Sequence, residues 1–359
     1  MTAAAPADVP TLRLRLQGGV AATTEHAAAT AAQVIGFGTH VDATIGWAVS
    51  IGHQVPVPGK GKTTALWELL ATTAALDVAA ARILEPHLDA LAILAQARAE
   101  GDDPRDALTA IGADGHASWG VFAAEGPGGR VEAARAPDGG WTLTGVKPWC
   151  SLATYLSHAL VTAWDGDRRR LFAVALRQPA VVARSGPWHA RGLSHIVSAP
   201  VEFEGAAAVP IGGPDWYLTR PGFAWGGMGV AAVWWGGAMP LVDALAAATA
   251  RAEPDQLSLA FLGEADTLMW ATRASLAESA HAVDGGMDAA AAKVLAERVR
   301  ATAAAAAERV LTIAEHALGP APLTAEEKHA RRVADLRLYL RQHHGERDLA
   351  RLGRLLGSR

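Results

Sequence analysis

The sequence predicts an α+β protein in which helical segments flank a β domain. Apolar residues recur at helical spacing from about residue 21 to residue 100, and again from residue 222 onward. Between residues 119 and 211 the period changes to short apolar or alternating runs, which are typical of strands. The expected domains are an N-terminal helical domain (residues 1–117), a middle antiparallel β domain (residues 118–215) and a C-terminal four-helix-bundle domain (residues 216–359).

The first helical segment carries leucines at mostly three- and four-residue steps. Leu66, Leu69 and Leu70 begin this pattern, and later leucines and isoleucines continue it to Leu94. Such spacing places apolar side chains on one face of a helix. The segment stops at residues 101–104 (Gly-Asp-Asp-Pro), because glycine and proline break a helix and aspartate favours turns.

The middle segment consists of short runs that are separated by turn residues. Residues 131–136, 141–145 and 158–163 are examples of apolar or alternating runs. Pro-Asp-Gly-Gly (137–140) and Asp-Gly-Asp (165–167) separate them, and both sequences favour tight turns. We expect an antiparallel sheet from this pattern.

The last segment contains four long stretches that are rich in Ala, Leu and Val. They are separated by Glu-Pro, by Asp-Gly-Gly and by Gly-Pro, which are typical of helix ends. The expected helices are residues 229–251, 257–283, 289–318 and 325–356.

The composition is that of an ordinary globular protein. The chain has 359 residues, of which 50% are apolar and 19% are charged, and its net charge is −4. A chain of this length can form two or three domains, each with a hydrophobic core. Its net charge gives no reason to expect nucleic acid as a partner. The single cysteine, Cys150, excludes an internal disulfide and a cysteine-only metal cage. The histidines follow no metal-ligand spacing, so we expect no bound metal.

The sequence also bears on the compartment. The N-terminus has no basic segment followed by a long apolar core, so we expect no signal peptide. No charge-free stretch reads as the roughly 18 apolar residues of a membrane span. We therefore expect a protein without a membrane span, in a reducing cytoplasm.

The most informative stretch runs from Trp119 to Ser151. An apolar run ends in Ala-Glu-Gly-Pro-Gly-Gly, and about twenty residues later a strand-like segment ends in Lys-x-Trp-x-Ser. Glycines lack side chains, so backbone N–H and C=O groups in this turn can approach a flat or phosphorylated ligand. Alternation along a strand places Trp149 and Ser151 on one face. Together the two segments predict a binding site for such a ligand.

These two segments resemble the flavin-binding middle domain of the acyl-CoA dehydrogenase family. The family pattern is roughly Val-Thr-Glu-Pro-x-Ala-Gly-Ser-Asp, followed by Gly-x-Lys-x-(Trp/Phe)-Ile-(Thr/Ser). The resemblance covers most of the chain, since residues 63–94 are similar to the family's buried N-terminal helices and residues 315–349 to its glycine turn and terminal catalytic loop. It implies the family's fold, FAD as the cofactor and an oxidoreductase activity.

The family's reaction determines which groups the site must hold. A flavin ring takes a hydride from the β-carbon of an acyl thioester while a carboxylate removes the α-proton. The resemblance implies backbone contacts to the ring from Ala123 and Ala124, although Ala124 replaces a usual Thr and its side-chain hydrogen bond. It also implies stacking of the ring on Trp149 and a hydroxyl contact from Ser151. Taken alone, Trp149 could be a core aromatic and Ser151 a surface strand hydroxyl.

The resemblance further implies a homodimer or homotetramer, because family members share cofactor contacts between subunits. Arg251 stands where the family has an arginine for the cofactor pyrophosphate, and it could equally complement the dipole of a helix C-terminus. Gly319 aligns with the family's glycine turn, whose second half is Pro-Ala-Pro here. Gly319 could therefore be only a helix end.

The catalytic base is where the chain departs most from the family. Family members place a glutamate either beyond an Arg-Asp helix or at the start of the bundle. His343 or His344 occupies the first location, depending on the alignment, and the second location falls near Thr219. A histidine with an unperturbed pKa of about 6.5 can act as a base at neutral pH. The two histidines could instead form a solvated helix face, and Glu346 could serve if the alignment is shifted.

The leading prediction is an enzyme that oxidises the CH–CH bond of an acyl thioester with FAD. Its implied partners are acyl-CoA or a similar small acyl substrate and an electron-transfer flavoprotein. The first alternative is a flavin-dependent monooxygenase of the same fold, supplied by a flavin reductase, because the change from glutamate to histidine resembles that branch. The second alternative is a non-catalytic family member that acts as a binding subunit.

Overall fold

The structure is a computed structural model that describes residues 10–184, 186–250 and 253–357. The helices before the sheet are α1 (Ala22–Ala31), α2 (Val41–Gly52), α3 (Thr63–Leu76), α4 (Val78–Ala99) and α5 (Arg105–Ala110). The strands are β1 (Trp119–Phe122), β2 (Val131–Arg135), β3 (Trp141–Ser151), β4 (His158–Asp165), β5 (Arg168–Ala175), β6 (Val181–Ala183) and β7 (Ser198–Ile211). The helices after the sheet are α6 (Trp216–Thr219), α7 (Pro221–Thr249), α8 (Gln256–Asp284), α9 (Ala289–Leu318), α10 (Ala321–Ala325), α11 (Glu327–Tyr339) and α12 (Glu346–Gly357), with a 3-10 turn (Leu340–Gln342) between α11 and α12. This order matches the predicted α+β class, and the limits of the three domains stay a prediction.

α4 lies between the sheet and the long C-terminal helices. It begins after Asp77, whose side chain accepts a hydrogen bond of 2.9 Å from the Ala80 N–H group. Asp77 has an extended backbone with φ of −157°, so it also ends α3 directly before α4 starts. α4 contacts β1 and α7. Side chains along α4 can therefore reach both the sheet and the bundle.

The strands form one sheet in the order β1-β4-β2-β3-β7-β5, and β6 pairs with β7. β4 also pairs with β5, so the path from β4 to β5 closes on itself as in a barrel. The prediction of a purely antiparallel sheet is wrong at β4. β1 runs parallel to β4, with Trp119 opposite His158, and one residue pair of β2 does the same. The glycine turn and the β2–β3 hairpin lie between β1 and β4, which gives the chain the length to return in the same direction.

Three long helices, α7, α8 and α9, form the body of the C-terminal part. Asp255 and Asp288 cap α8 and α9, because their carboxylates accept hydrogen bonds from N–H groups in the first turn of each helix. The predicted fourth helix, residues 325–356, is interrupted after α11. His343 is extended there and Gly345 has φ of +57°, a left-handed conformation that glycine adopts without steric cost. The chain therefore turns before α12 begins.

α7 is long and apolar enough to cross a membrane by length and composition, and no other helix of the described residues passes the same test. Yet 67% of its most apolar window is buried inside the molecule. Trp234, on α7, is fully buried, and α7 contacts α3, α8 and α9. These surroundings are those of a core helix, which is apolar on all sides because neighbours cover it.

Candidate functional site

A partly buried ion pair joins the glycine-rich turn to the end of β3. The Lys147 ammonium donates to Glu125 Oε1 at 2.5 Å and to Thr162 Oγ1 at 2.9 Å. Arg169 Nη2 lies 3.2 Å from the same Glu125 oxygen. Burial lowers the pKa of Lys147, and the hydrogen bond to Glu125 opposes this shift by favouring the charged amine. The two segments that the sequence singles out are therefore held side by side.

The glycine-rich turn packs closely on β3. Gly126 and Gly129 form an isolated bridge across the turn. A Cβ atom on Gly129 would lie 2.8 Å from Pro148 Cδ and 2.9 Å from the Val146 carbonyl oxygen. Side chains do not fit at such distances, so this glycine is required for the approach of the two segments.

Trp149 is held on a bulge of β3 with its indole ring exposed. The register between β3 and β7 shifts between Lys147 and Cys150, and Trp149 has φ of +59°. A bulky residue in this left-handed region is a conformational outlier, and such outliers concentrate at ligand sites. The exposed fraction of Trp149 is 62%. An exposed aromatic plane on a strained bulge fits a flat ligand, as the sequence predicts for Trp149.

Ser151 connects the end of β3 to α4. Its hydroxyl lies 2.7 Å from Ser198 Oγ on β7, and it accepts a hydrogen bond of 3.2 Å from Arg82 Nη2. Arg82 belongs to α4 and lies one turn before Glu85. Ser151 is thus half-buried at the junction of the sheet and the N-terminal helices. This position differs from that of a surface strand hydroxyl, which is the alternative that the sequence leaves open for Ser151.

Ala123 and Ala124 directly follow β1. The Ala123 carbonyl oxygen accepts a hydrogen bond of 2.9 Å from Arg169 Nη2, and Ala124 is exposed. The predicted backbone contacts of both residues with a flavin stay a prediction. We call residues 123–129 together with Trp149 and Ser151 the ring site.

A pocket with a cavity volume of about 40 Å³ lies between α3, α4, α7 and the loop that precedes α3, and we call it the α4 pocket. Most of its lining is apolar, and the indole rings of Trp67 and Trp225 form part of it. Two carboxylates, Glu85 and Asp89, interrupt this lining. They are four residues apart and so share one face of α4. The lining residues are Gly52, Val55, Pro56, Val57, Pro58, Leu66, Trp67, Leu70, Glu85, Leu88, Asp89, Leu91, Ala92, Trp225, Gly226 and Gly229.

Glu85 is a titratable group of this pocket whose pKa is raised by its surroundings. Its carboxylate Oε2 lies 3.7 Å from Arg82 Nη1 and accepts a hydrogen bond of 3.3 Å from the Tyr339 hydroxyl. Burial raises the pKa of Glu85 to about 7, and the positive charge of Arg82 opposes this shift. The sequence shows Glu85 only as a charged position in an apolar helix. The usable signal was its spacing from Arg82, because residues three apart on a helix are neighbours.

Asp89 faces the start of the bundle. Burial raises its pKa, and Arg220, at 3.8 Å, opposes the shift. A Cβ atom on Gly226 of α7 would lie 3.0 Å from Asp89 Oδ1, so a glycine leaves room for the carboxylate. Thr219, the residue at the family's second base position, uses its hydroxyl to donate to the Asp215 carbonyl oxygen at 3.0 Å.

His343 and His344 lie in the break before α12, and the reading of both as a helix face is wrong because the chain is not helical there. His343 is mostly buried, with an exposed side-chain fraction of 10%, and its ring lies edge-on to Trp234. Burial lowers its pKa, and its Nε2 atom has no hydrogen-bond partner among the described residues. His344 is exposed and its ring lies 3.3 Å from Asp348. Neither histidine lines the α4 pocket, and their catalytic role stays a prediction.

The sequence predicts two further cofactor contacts, at Arg251 and Gly319. Arg251 is outside the described residues. Gly319 ends α9 with φ of +66°, and a Cβ atom there would meet no described atom within 4 Å. Its conformation is that of a helix end, and a contact with cofactor in another subunit stays a prediction. Within the described residues, no group of three or more His, Cys, Asp or Glu side chains could hold a metal ion.

Comparison with known proteins identifies the fold. No protein-family model and no curated protein matches the chain. Butyryl-CoA dehydrogenase from Megasphaera elsdenii superposes with a TM-score of 0.77 and 16% sequence identity, covering 95% of this chain and 100% of that one. This chain has the acyl-CoA dehydrogenase fold. The predicted resemblance is thereby confirmed at the level of the fold.

Two further proteins match this acyl-CoA dehydrogenase fold. The nitrososynthase from Micromonospora carbonacea var. africana has a TM-score of 0.75 and 19% identity, covering 91% of this chain and 94% of that one. FMN-bound TdsC from Paenibacillus sp. A11-2, a dibenzothiophene monooxygenase, has a TM-score of 0.73 and 18% identity, with coverages of 94% and 96%. Flavin enzymes with different reactions thus share this fold. The exposed Trp149 ring, the tight glycine turn and the Ser151 hydroxyl fit a flavin ring.

Proposed function

We propose that the protein is a flavin-dependent oxidoreductase whose flavin ring lies against Trp149 and near Ser151. The observation that carries this proposal is the exposed Trp149 ring, which the β3 bulge holds in a left-handed conformation beside the glycine turn. Backbone strain of this kind persists only where the surrounding structure holds it, and strained residues concentrate at ligand-binding sites. Here the strain keeps the Trp149 ring in a position where a flat ligand can stack on it. The flavin would supply hydride acceptance, and the chain would bind and orient it through these residues.

The leading reaction is oxidation of the CH–CH bond of an acyl thioester, with FAD as cofactor and an electron-transfer flavoprotein as electron acceptor. The likeness to butyryl-CoA dehydrogenase supports it. The α4 pocket also supports it, because its apolar lining with a few polar groups suits the end of a small acyl chain, which is what its cavity of about 40 Å³ can take. Acyl-CoA or a similar small acyl compound is the substrate class that we propose.

A flavin-dependent monooxygenase supplied by a flavin reductase is the second candidate. It is favoured by the absence of a carboxylate at Thr219, His343 and His344, the positions where the family carries its glutamate. The likeness to FMN-bound TdsC also supports it. A non-catalytic binding subunit remains the third reading if no flavin binds.

Spectroscopy separates these candidates. We expect the purified protein to be yellow, or to take up FAD or FMN in a titration followed by absorbance. A dehydrogenase should lose its flavin colour when it is mixed anaerobically with acyl-CoA compounds of different chain length. A monooxygenase should keep its colour in that experiment and form product only with reduced flavin and oxygen. Failure to bind either flavin would rule out both enzymes.

We also propose that Arg251 and Gly319 contact the cofactor from a partner subunit of a homodimer or homotetramer. Fold relatives share cofactor contacts in this way, and the open surroundings of Gly319 leave room for such a contact. Light scattering of the purified protein should give a mass of two or four chains. Arg251→Ala should then weaken flavin binding without changing that mass.

A further inference from the structure

We propose that Glu85 is the catalytic carboxylate of this protein and accepts a proton from a substrate bound in the α4 pocket. This inference rests on the proposed flavin function and supplies the base that neither usual family position provides. Those positions hold Thr219 and the pair His343 and His344. The carboxylate would come from α4, in the N-terminal helical part, and not from the C-terminal bundle.

The position of Glu85 supports this role because one guanidinium group links it to the ring site. Arg82 Nη2 donates to Ser151 Oγ at 3.2 Å, and Arg82 Nη1 lies 3.7 Å from Glu85 Oε2. Glu85 also lines the α4 pocket. A substrate that extends from this pocket toward Ser151 therefore passes beside the Glu85 carboxylate.

One oxygen of Glu85 is available for a proton. The Tyr339 hydroxyl and the Arg82 guanidinium both approach Oε2, at 3.3 Å and 3.7 Å. Within the described chain, Oε1 accepts no hydrogen bond, and the shortest contact with Arg82 is made by Oε2. The exposed fraction of the Glu85 side chain is 14%, and the pocket lies beside it. Tyr339 and Arg82 thus orient the carboxylate through one oxygen and leave the other for a substrate.

Charged and polar groups on three helices set the protonation of Glu85. On α4, Arg82 favours the charged form and Asp89 disfavours it. From α11 the Tyr339 hydroxyl favours the charged form by donating to it, and from α9 Arg300 adds a weaker attraction. Desolvation outweighs these effects and raises the pKa to about 7. A base is most effective when its pKa lies near the working pH, so this value suits proton transfer at neutral pH.

Two other buried carboxylates suit the role less well. Asp89 lies farther along α4 and faces Arg220 of the bundle at 3.8 Å. Glu68, on α3, accepts a hydrogen bond of 2.9 Å from the Leu14 N–H group and does not line the α4 pocket. Burial raises the pKa of Glu68 as it does for Glu85, so Glu68 is a matched control.

An acyl thioester would lose one proton and one hydride in this reaction. The α-carbon loses its proton to Glu85 Oε1, and the electron pair of that C–H bond becomes the second bond between the α- and β-carbons. The β-carbon would lose a hydride, and the oxidised flavin of the proposed function would supply the acceptor. The substrate thus loses two hydrogens and two electrons in total. Glu85 returns its proton to solvent after the product leaves.

An infrared pH titration tests the proton-accepting group without requiring turnover. A protonated carboxyl group has a C=O band that a carboxylate lacks, and we expect the purified wild-type protein to lose one such band around pH 7, above the transition of Asp335, whose pKa burial raises to about 6. Glu85→Gln should abolish this transition, and Glu68→Gln should retain it. If the transition survives in the Glu85→Gln protein, the proposal is wrong.

Anaerobic bleaching of the bound flavin tests catalysis, with butyryl-CoA as the first probe. Glu85→Gln should slow bleaching by about 10²- to 10⁴-fold, the usual contribution of a general base, while the flavin spectrum stays unchanged. Glu85→Asp should restore part of the rate, and Glu68→Gln should bleach like the wild type. The wild-type rate should rise with pH through about 7, and the Gln variant should lose this dependence.

The outcomes distinguish the inference from the proposed function. A Glu85→Gln protein that bleaches at the wild-type rate with the wild-type pH profile would overturn the role of Glu85 and leave the dehydrogenase intact. If the wild-type protein binds flavin but none of the acyl-CoA compounds bleaches that flavin, the acyl-thioester reaction is overturned. In that case the infrared titration alone decides whether Glu85 is the proton acceptor of the pocket.

Discussion

The ring site and the α4 pocket lie at opposite ends of the Arg82 guanidinium, yet they are built in different ways. The ring site comes from a continuous stretch of sequence, residues 119–151, and its main aromatic side chain is exposed. The α4 pocket is assembled from the consecutive helices α3 and α4 together with α7, so its lining spans residues 52 to 229, and its carboxylates are largely buried. A binding surface can thus be local, whereas a perturbed titratable group depends on tertiary packing.

This difference has a physical reason. Backbone strain at Trp149 is local, and the close approach of Gly129 to Val146 and Pro148 joins two segments of the same continuous stretch. A raised carboxylate pKa needs removal of water from all sides, which only packing of several helices can supply.

The largest expected effect is on the pH dependence of stability, through Glu85. Its pKa is about 7 in the folded protein and 4.5 in a model compound, so folding favours the protonated form. The stabilisation is complete below about pH 4.5 and is lost as the pH rises through 7, by about 3 kcal/mol from the size of the shift. Glu85→Gln should therefore match the wild type at low pH and be more stable by up to about 3 kcal/mol above pH 8.

Urea denaturation of both proteins across this pH range measures the effect. The comparison between variant and wild type is needed because His87 acts in the opposite direction. Burial lowers the pKa of His87 from 6.5 to about 4, so its contribution is lost as the pH falls through that window. His87 is present in both proteins and cancels in the difference. A difference that stays constant with pH would show that Glu85 keeps its ordinary pKa.

The contrast between the two regions also explains how much the sequence predicts. The helices–sheet–helices order and the glycine turn follow from periodicity and local motif, and the family resemblance selects Trp149, whose exposure only the structure shows. The parallel pairing of β1 with β4 does not, because turn residues define strand ends and say nothing of which strands meet. From the sequence alone, Glu85 is only a charged residue in an apolar helix. Its proximity to Tyr339 joins residues 254 positions apart, which no local pattern contains.

The second prediction concerns the glycine turn. Gly129→Ala should destabilise the protein by about 1–3 kcal/mol, because its Cβ would overlap Pro148 Cδ and the Val146 carbonyl oxygen. Displacement of the turn should also weaken flavin binding. Gly213→Ala, in the loop after β7, is the matched control, since a Cβ there meets no described atom within 4 Å and Gly213 lies outside the ring site. Equal flavin affinity in the Gly129→Ala protein and the wild type would contradict a ring site that depends on this turn.

The third prediction concerns the exposed aromatic ring. Trp149→Ala should weaken flavin binding by about two- to tenfold, because an aromatic stacking contact contributes roughly 0.5–1.5 kcal/mol. Stability should change little, since the side chain is exposed. Trp270→Ala on α8 is the control, because Trp270 is also exposed, with a fraction of 56%. Flavin titrations followed by fluorescence measure both variants, and a larger loss for Trp270 would move the ring site away from β3.

The smallest expected effect is at His344, and it decides between the two ends of the chain as the source of the base. The His344 side chain is exposed and contacts Asp348 at 3.3 Å, so His344→Ala should change the free energy of unfolding by less than about 1 kcal/mol. If Glu85 is the base, flavin bleaching by an acyl-CoA should proceed at the wild-type rate in this variant. His343→Ala needs separate treatment, because the buried ring packs edge-on against Trp234 and its loss leaves a cavity. A His344→Ala protein that binds flavin, unfolds like the wild type and no longer bleaches would place the base in the segment before α12, as the family resemblance implies, and would leave Glu85 as a structural group of the pocket.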